Sequence, residues 1–207
     1  ARNVFARGTS NNVSGISLID NSIIQANGGN ILLLGGGANL RQGHGIFTSG
    51  NSKITTSGIG QIRLIGLGGL GADNAIGLEN GEPTTFDSVA SGIDFSSFGN
   101  LISSHDGNIQ LTGYSAGEGG IDVAVFIRNG LVNTTGFGNI EIIGISDSIT
   151  SFVNEGIAIF SLGRVEALGS GDINLTGIGA ISHIGNRTSI LNSGIHISAE
   201  SVVKTAE

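Results

Sequence analysis

Two aspartates, Asp94 and Asp122, come closest to a catalytic arrangement in this sequence. Each directly follows a Gly-Ile dipeptide, Gly92-Ile93 and Gly120-Ile121. If these dipeptides open equivalent strands on adjacent turns of a repeat, the two carboxylates lie ~5 Å apart, as in retaining glycosidases. Like charges this close raise one pKa, the condition for a general acid beside a base. A solvated, repelling pair, or one bridged by Ca²⁺ or water, is the alternative we favour, because no third acid or arginine joins the row.

An acidic stretch from Leu67 to Ser91 is a candidate calcium site. It opens with GGLGAD, residues 68–73, the first part of a calcium-binding nonapeptide repeat. That motif binds Ca²⁺ between tandem turns, whereas this chain has a single copy. We interpret the stretch as a solvated loop and keep calcium binding as the alternative. Its possible ligands are Asp73, Glu79, Glu82 and Asp87.

Other motifs predict no chemistry. Residues 66–71 match the dinucleotide-binding pattern G-x-G-x-x-G, but the turn-rich segment after them cannot open the required helix. The chain has no cysteine, and no two of its four histidines share an equivalent repeat position (His44, His105, His183 and His196). Neither thiol nor histidine metal sites are therefore expected. We predict no cofactor and no enzymatic activity, with a polysaccharide-active enzyme using the two aspartates as the alternative.

Composition excludes several classes of partner. The net charge is −7, and the nine Lys and Arg residues are scattered singly, so no nucleic-acid partner is expected. No apolar run approaches the ~18 residues of a membrane span. The 37 glycines occur together with abundant Ile, Leu and Val, which favours many short strands joined by tight corners.

An internal repeat organises the chain. A Gly-Ile dipeptide opens six copies, and a Gly-(Asn/Gln/Asp)-Ile tripeptide follows in the first five at Ile-to-Ile spacings of 15, 16, 16, 19 and 16 residues. Each copy contains three short stretches of alternating polarity. The repeat predicts an all-β fold, a right-handed parallel β-helix (β-solenoid) with three strands per coil and about five to six coils. We expect one segment, 1–207, cut from a longer array, with coils starting near residues 15, 45, 92, 120, 156 and 194.

The alternation predicts which side chains point inward. In the third strand these are Ile31, Ile62, Ile109, Ile140 and Ile173, with Leu33, Leu64, Leu111, Ile142 and Leu175 two residues later. In the first strand they are Ile16, Ile46, Ile93, Ile121, Ile157 and Ile195, and in the second Ile23, Ile54, Leu101, Val132, Val165 and Val203. Small companions follow in the second strand at Thr56, Ser103, Thr134, Ala167 and Thr205. Glu166 and Lys204 should form an exposed pair on adjacent coils, and glycines such as Gly144 should close the third strands.

The pattern GI-x-L … I-x-[TA]-x-G-x-G-N-I-x-L-x-G resembles the repeat arrays of filamentous-haemagglutinin-like secreted bacterial exoproteins. These are passengers of two-partner secretion and related β-strand-repeat proteins, common in cyanobacteria. The resemblance covers the whole chain and implies a structural or adhesive rod located outside the cell or on its surface. The Asn-Pro-Asn motifs of the family's secretion domain are absent, since the single proline, Pro83, follows Glu82.

The partners expected for such a segment are neighbouring repeats, copies of itself, and host-cell or matrix polysaccharides. Because the last copy stops in mid-repeat, we expect open, adhesive ends. Either the chain continues into further repeats, or copies stack head-to-tail into a filament.

Overall fold

Three parallel β-sheets of six strands each wind around one apolar core. The computed structural model describes residues 2–9, 14–38, 43–69, 78–79, 82–83, 89–117, 121–148, 151, 153–180, 183–184, 187–188, 191–198 and 200–206. No helix occurs in these ranges. The chain is therefore a parallel β-helix with three strands per coil and about six coils, as the repeat predicts.

Each sheet collects one strand from every coil. Sheet 1, made of first strands, contains β2 Ile16–Leu18, β5 Ile46–Thr48, β10 Val89–Ser96, β13 Ile121–Arg128, β16 Val153–Phe160 and β21 Leu191–Ile197. Sheet 2 contains β3 Ile23–Ala26, β6 Lys53–Thr56, β11 Leu101–Ser104, β14 Leu131–Thr134, β17 Arg164–Ala167 and β22 Val202–Thr205. Sheet 3 contains β1 Val4–Thr9, β4 Ile31–Gly36, β7 Ile62–Leu67, β12 Ile109–Ser115, β15 Ile140–Ser146 and β18 Ile173–Ile178.

The third strands form the most regular sheet. Ile62, Ile109 and Ile140 are register partners on consecutive coils and are at most 1% exposed, which confirms the predicted interior column. Alternate residues of each strand face the core because successive side chains of a strand point to opposite sides. Sheet 3 also has a member that the repeat search missed. In β1, Val4 and Ala6 pair with Ile31 and Leu33 one coil before the first recognised copy.

A ladder of asparagine side chains precedes these strands and explains why asparagine is frequent in the Gly-(Asn/Gln/Asp)-Ile signature. The Oδ1 atom of Asn108 accepts a hydrogen bond from the backbone N–H of Asn139 at 2.9 Å, and Oδ1 of Asn139 accepts one from Asp172 at 2.8 Å. Asn30 does the same for Gln61 at 2.9 Å. Each side chain thus satisfies a backbone donor of the next coil at a corner, where the sheet hydrogen bonds are interrupted.

The glycines that end the third strands permit close contact with the first-strand sheet. A Cβ on Gly144 would lie 1.9 Å from the carbonyl oxygen of Gly156, and one on Gly66 would lie 1.9 Å from that of Gly92. Close backbone approach is therefore the reason for glycine at these positions, one of the two alternatives that the sequence left open. Glycines with positive φ occur instead at the corners on either side of sheet 2, for example Gly58 and Gly99.

The predicted register of sheet 2 was wrong in two coils. Ile24, not Ile23, pairs with Ile54, and Ile102, not Leu101, continues the column. Ile23 is 65% exposed, and Ser104 rather than Ser103 is the small inward companion. A slip of one residue exchanges the two faces of a strand. Both strands contain adjacent aliphatic residues, so polarity alone did not distinguish the two registers.

The predicted register of sheet 1 was wrong in one coil. Val125, not Ile121, pairs with Ile93 and with Ile157, while Ile121 pairs with Val89. Ala124 occupies the place of the glycine that precedes the inward isoleucine in other copies, so the Gly-Ile signature is lost there. A chance Gly120-Ile121 lies four residues upstream, and it gave the false alignment.

The loops of variable length lie at one corner, between sheet 3 and sheet 1. Their lengths range from five residues (116–120) to 21 residues (68–88). The longer loop includes two short antiparallel strands, β8 Leu78–Glu79 and β9 Glu82–Pro83. Loop 179–190 includes another pair, β19 His183–Ile184 and β20 Arg187–Thr188. The other two corners have shorter connections, so insertions concentrate along a single edge.

Candidate functional site

Asp94 and Asp122 do not form the predicted carboxylate pair. Asp94 is the register partner of Phe47 and Phe126, whereas Asp122 is paired with Ala90 and Asn154. The shift of four residues in β13 therefore places the two aspartates at different positions along their strands. Asp94 is 5% exposed and Asp122 is 2% exposed. The two-carboxylate geometry that motivated a glycosidase alternative is absent.

Asp94 instead belongs to a buried histidine–aspartate contact. Nε2 of His44 lies 3.7 Å from Oδ2 of Asp94, and the His44 ring stacks on Phe47 with centroids 5.2 Å apart. Burial raises the pKa of Asp94 to about 6, although Ser96 and the positive charge of Arg128 oppose the shift. Burial lowers the pKa of His44 to about 4. With each residue 5% exposed, the contact packs the outer side of sheet 1 and offers no access to a substrate.

Sequence inspection missed this contact because the histidine and the aspartate occupy unrelated repeat positions. The signal was nevertheless present. Ile46 and Ile93 are partners, so Phe47 lies beside Asp94, and His44 is only three residues before Phe47.

His44 and Asp94 should change the stability of the folded chain in opposite directions as the pH rises. The folded-state pKa of Asp94 is raised, so its contribution to stability decreases as pH rises from about 4 to about 6. The folded-state pKa of His44 is lowered, so its contribution increases between about pH 4 and pH 6.5. In the wild-type chain the two slopes largely cancel.

Replacing either residue should reveal the pH dependence of stability that the other one causes. Relative to wild type, Asp94→Asn should gain stability with rising pH, and His44→Gln should lose it, by on the order of 2 kcal/mol across this interval. Urea unfolding over the same pH range measures both differences. Parallel pH profiles for the three proteins would contradict the assignment of these buried groups.

Asp122 accepts hydrogen bonds from a group of serines at the corner between sheets 3 and 1, where the loops vary in length. Its Oδ1 accepts hydrogen bonds from Ser115 Oγ at 2.7 Å and from the Gly117 N–H at 3.1 Å, and its Oδ2 accepts one from Ser151 Oγ. Burial raises the pKa of Asp122, while Ser151, Ser115, Ser148 and Gly117 lower it in part. These bonds join two consecutive corner loops, so this carboxylate holds the loops together.

A third buried carboxylate lies near the end of sheet 1. Glu155 is 1% exposed, and its Oε1 lies 2.6 Å from Nδ1 of His196. Burial raises the pKa of Glu155, and the hydrogen bond and charge of His196 oppose the shift. His196 also makes an edge contact with Phe160, with centroids 4.6 Å apart. The pair fastens β21 to β16, and the repeat pattern gave no sign of it.

The predicted contact between Glu166 and Lys204 is confirmed. They are register partners on adjacent coils, with Nζ of Lys204 3.6 Å from Oε1 of Glu166. The predicted exposure was half right, because Lys204 is exposed whereas Glu166 is buried. Arg164 explains the difference, since its Nε and Nη2 donate to the same oxygen at 2.9 and 2.5 Å. Two cations thus compensate one buried carboxylate.

Only two of the four calcium candidates lie in the described part of the chain. Asp73 and Asp87 lie outside the described residues. Glu79 and Glu82 are register partners in the β8–β9 pair. Within the described ranges no group of three or more His, Asp or Glu side chains could hold a metal ion.

Comparison with known proteins gives no relative for this chain. No protein-family model, no curated protein and no solved structure matches it. In the described residues, no helix has the length and apolar character needed to cross a membrane.

Proposed function

We propose that this chain is a structural and adhesive rod segment of a secreted or cell-surface bacterial repeat protein. The observation that carries the proposal is the continuity of the coil stack. All three sheets keep parallel register through six strands around a single core. In such an arrangement each coil buries its apolar face only against its neighbours, and the number of coils sets the length of the rod.

The outermost strands support end-to-end contact with neighbouring repeats or with copies of the same chain. β1, β2 and β3 are edge strands at one end of the described stack, and β18, β21 and β22 are edge strands at the other. Ile195 and Ile197 occupy core-facing positions in the last coil, yet they are 39% and 45% exposed. Edge strands with exposed apolar side chains are templates for further pairing.

The adhesive part of the proposal rests on the single variable corner. Loops placed along one edge of a regular scaffold can differ without disturbing the core, and they are the usual carriers of binding function. A cell surface or a matrix polysaccharide is the proposed target. The extracellular location and the bacterial origin follow the resemblance of the repeat to haemagglutinin-like exoproteins.

Location is the most direct test. Antibodies raised against the 207-residue chain should label intact, unpermeabilised cells of the source organism, or should detect the protein in the culture fluid. Antibodies against a cytosolic protein, used on the same cells, provide the control. Signal confined to the interior of permeabilised cells would overturn the proposal.

A further inference from the structure

The outer face of sheet 3 carries two different bands of side chains. The polar band consists of Arg63, Gln110, Glu141 and Asn174, which occupy one outward position on β7, β12, β15 and β18, whereas β4 and β1 carry Leu32 and Phe5 there. The apolar band occupies the next two outward positions and includes Ile65, Ile143, Leu67, Tyr114, Ile145 and Ile178. Leu67, Tyr114 and Ile178 are 51%, 41% and 53% exposed. A solvated rod face has no need of such a band, and grouped exposed apolar residues mark interaction surfaces.

From these bands we infer that the outer face of sheet 3 binds a second copy of this chain, packed face to face with its coils running in the opposite direction. The two-fold axis would lie between the two faces, along β12. This axis reverses the order of coils but keeps each position along the strands. β7 of one copy then faces β15 of the other, and β12 faces itself.

The charges on the face fit this arrangement. Arg63 lies one coil before β12 and Glu141 lies one coil after it, so each arginine meets Glu141 of the second copy. Arg63 makes no ion pair with any described residue of its own chain. Glu141 accepts a hydrogen bond from Gln110 at 2.6 Å, which leaves its other oxygen for the arginine. The contact between Arg63 and Glu141 therefore forms twice in a symmetric dimer.

The apolar band matches itself under the same operation. Ile65 faces Ile143 of the second copy, Leu67 faces its Ile145, and Tyr114 lies near the axis. Two such faces can also pack around a two-fold axis that runs parallel to the coil stack. That axis would place the polar band of one copy against the apolar band of the other. Burying Arg63 and Glu141 against isoleucines would cost free energy without compensation. The antiparallel arrangement is thus the self-complementary one.

The size of the face sets the expected affinity. Five strands ~4.8 Å apart, each about six residues long, make a patch of roughly 20 by 20 Å. Two such patches lie near or below the ~1,200 Å² in total that specific interfaces usually bury. A weak, concentration-dependent dimer is therefore expected. This lateral contact is independent of end-to-end stacking and of the location of the protein.

Charge reversal gives a sharp test, measured by sedimentation equilibrium of the full chain. Arg63→Glu alone and Glu141→Arg alone should each weaken the dimer at least tenfold, because like charges then meet twice. An equimolar mixture of the two variants should restore wild-type affinity as a heterodimer, since each glutamate again meets an arginine. Lys53→Glu in sheet 2 and Glu200→Arg at the corner between sheets 1 and 2 make the same changes of net charge away from this face and should have no effect.

Several results would overturn the inference. The wild-type chain could be monomeric at every concentration reached, or the single charge reversals could leave its association unchanged. The third such result is a mixture of the two variants that associates no better than each variant alone. Circular dichroism establishes that each variant is folded. If Glu141→Arg does not fold, Leu67→Lys at its exposed position replaces it. That variant must then weaken the wild-type dimer at least tenfold, and no weakening refutes the proposal.

Discussion

Replacing Gly144 by alanine should destabilise the chain by about 3 kcal/mol or more, one of the largest effects expected for a single methyl group. The new Cβ would lie 1.9 Å from the carbonyl oxygen of Gly156 and 2.5 Å from its carbonyl carbon. Both are backbone atoms, so no side-chain rotation can relieve the contact. Sheets 1 and 3 would have to separate locally, which opens the core around Ile157.

Gly36→Ala is the matched control, because Gly36 also lies near the end of a sheet 3 strand. A Cβ there meets only the Cγ2 atom of Thr9, at 3.6 Å, which is an ordinary contact. Its φ is not positive, so the substitution should be neutral or stabilising by up to about 1 kcal/mol. Urea unfolding monitored by circular dichroism compares the two variants. Equal midpoints would show that the sheets do not approach as closely as described.

Replacing Ile109 by aspartate should unfold at least the central coils, with a loss of about 4 kcal/mol or more. Ile109 is fully buried and lies between Ile62 and Ile140 in the interior column of sheet 3. The substitution removes most of an isoleucine side chain and leaves a carboxylate without a partner. Burial must raise the pKa of the new carboxyl, so the loss should be largest at neutral pH and smaller as the pH falls toward about 4.

Asn108→Asp introduces the same residue one position earlier and serves as the control. Asn108 is exposed, and its Oδ1 accepts the hydrogen bond from the Asn139 N–H. An aspartate oxygen can accept this bond equally well, so the change in stability should stay below about 1 kcal/mol. Hydrogen exchange followed residue by residue would show whether the loss in Ile109→Asp spreads to neighbouring coils. An Ile109→Asp protein with wild-type protection in sheet 3 would exclude an interior column at this position.

Asp94 and Asp122 do not form an exposed carboxylate pair, and this changes how these acidic residues are interpreted. Asp94, Asp122 and Glu155 are each buried, and each contacts a histidine or a group of serines. Their partners come from neighbouring coils or from corner loops. These contacts join one coil to the next, so the buried acids fix how neighbouring coils and corner loops pack against each other.

The sequence by itself determined the fold and the column of sheet 3. A constant Ile-x-(Leu/Ile) pattern, repeated behind a Gly-(Asn/Gln/Asp)-Ile signature, leaves one register that buries Ile109 and its partners. The amide ladder and the glycine contact each require a particular residue type, so both appear directly in the repeat. The pairing of Glu166 with Lys204 followed from the same counting, since sheet 2 keeps its register in those coils.

Only the tertiary structure decided the register of those strands whose sequence pattern was ambiguous. These registers in turn decided which side chains meet at the candidate site. Ile23 and Ile24 are adjacent, as are Leu101 and Ile102, so each strand could bury either residue, and only stacking on Ile54 selects between them. In β13 the chain carries alanine where other coils carry glycine, and the eight-residue strand allows the shift that separates Asp122 from Asp94. Contacts such as His44 with Asp94 join residues 50 positions apart through an irregular corner. No local period encodes such contacts, because the length of each corner loop and the packing of the next coil fix their geometry.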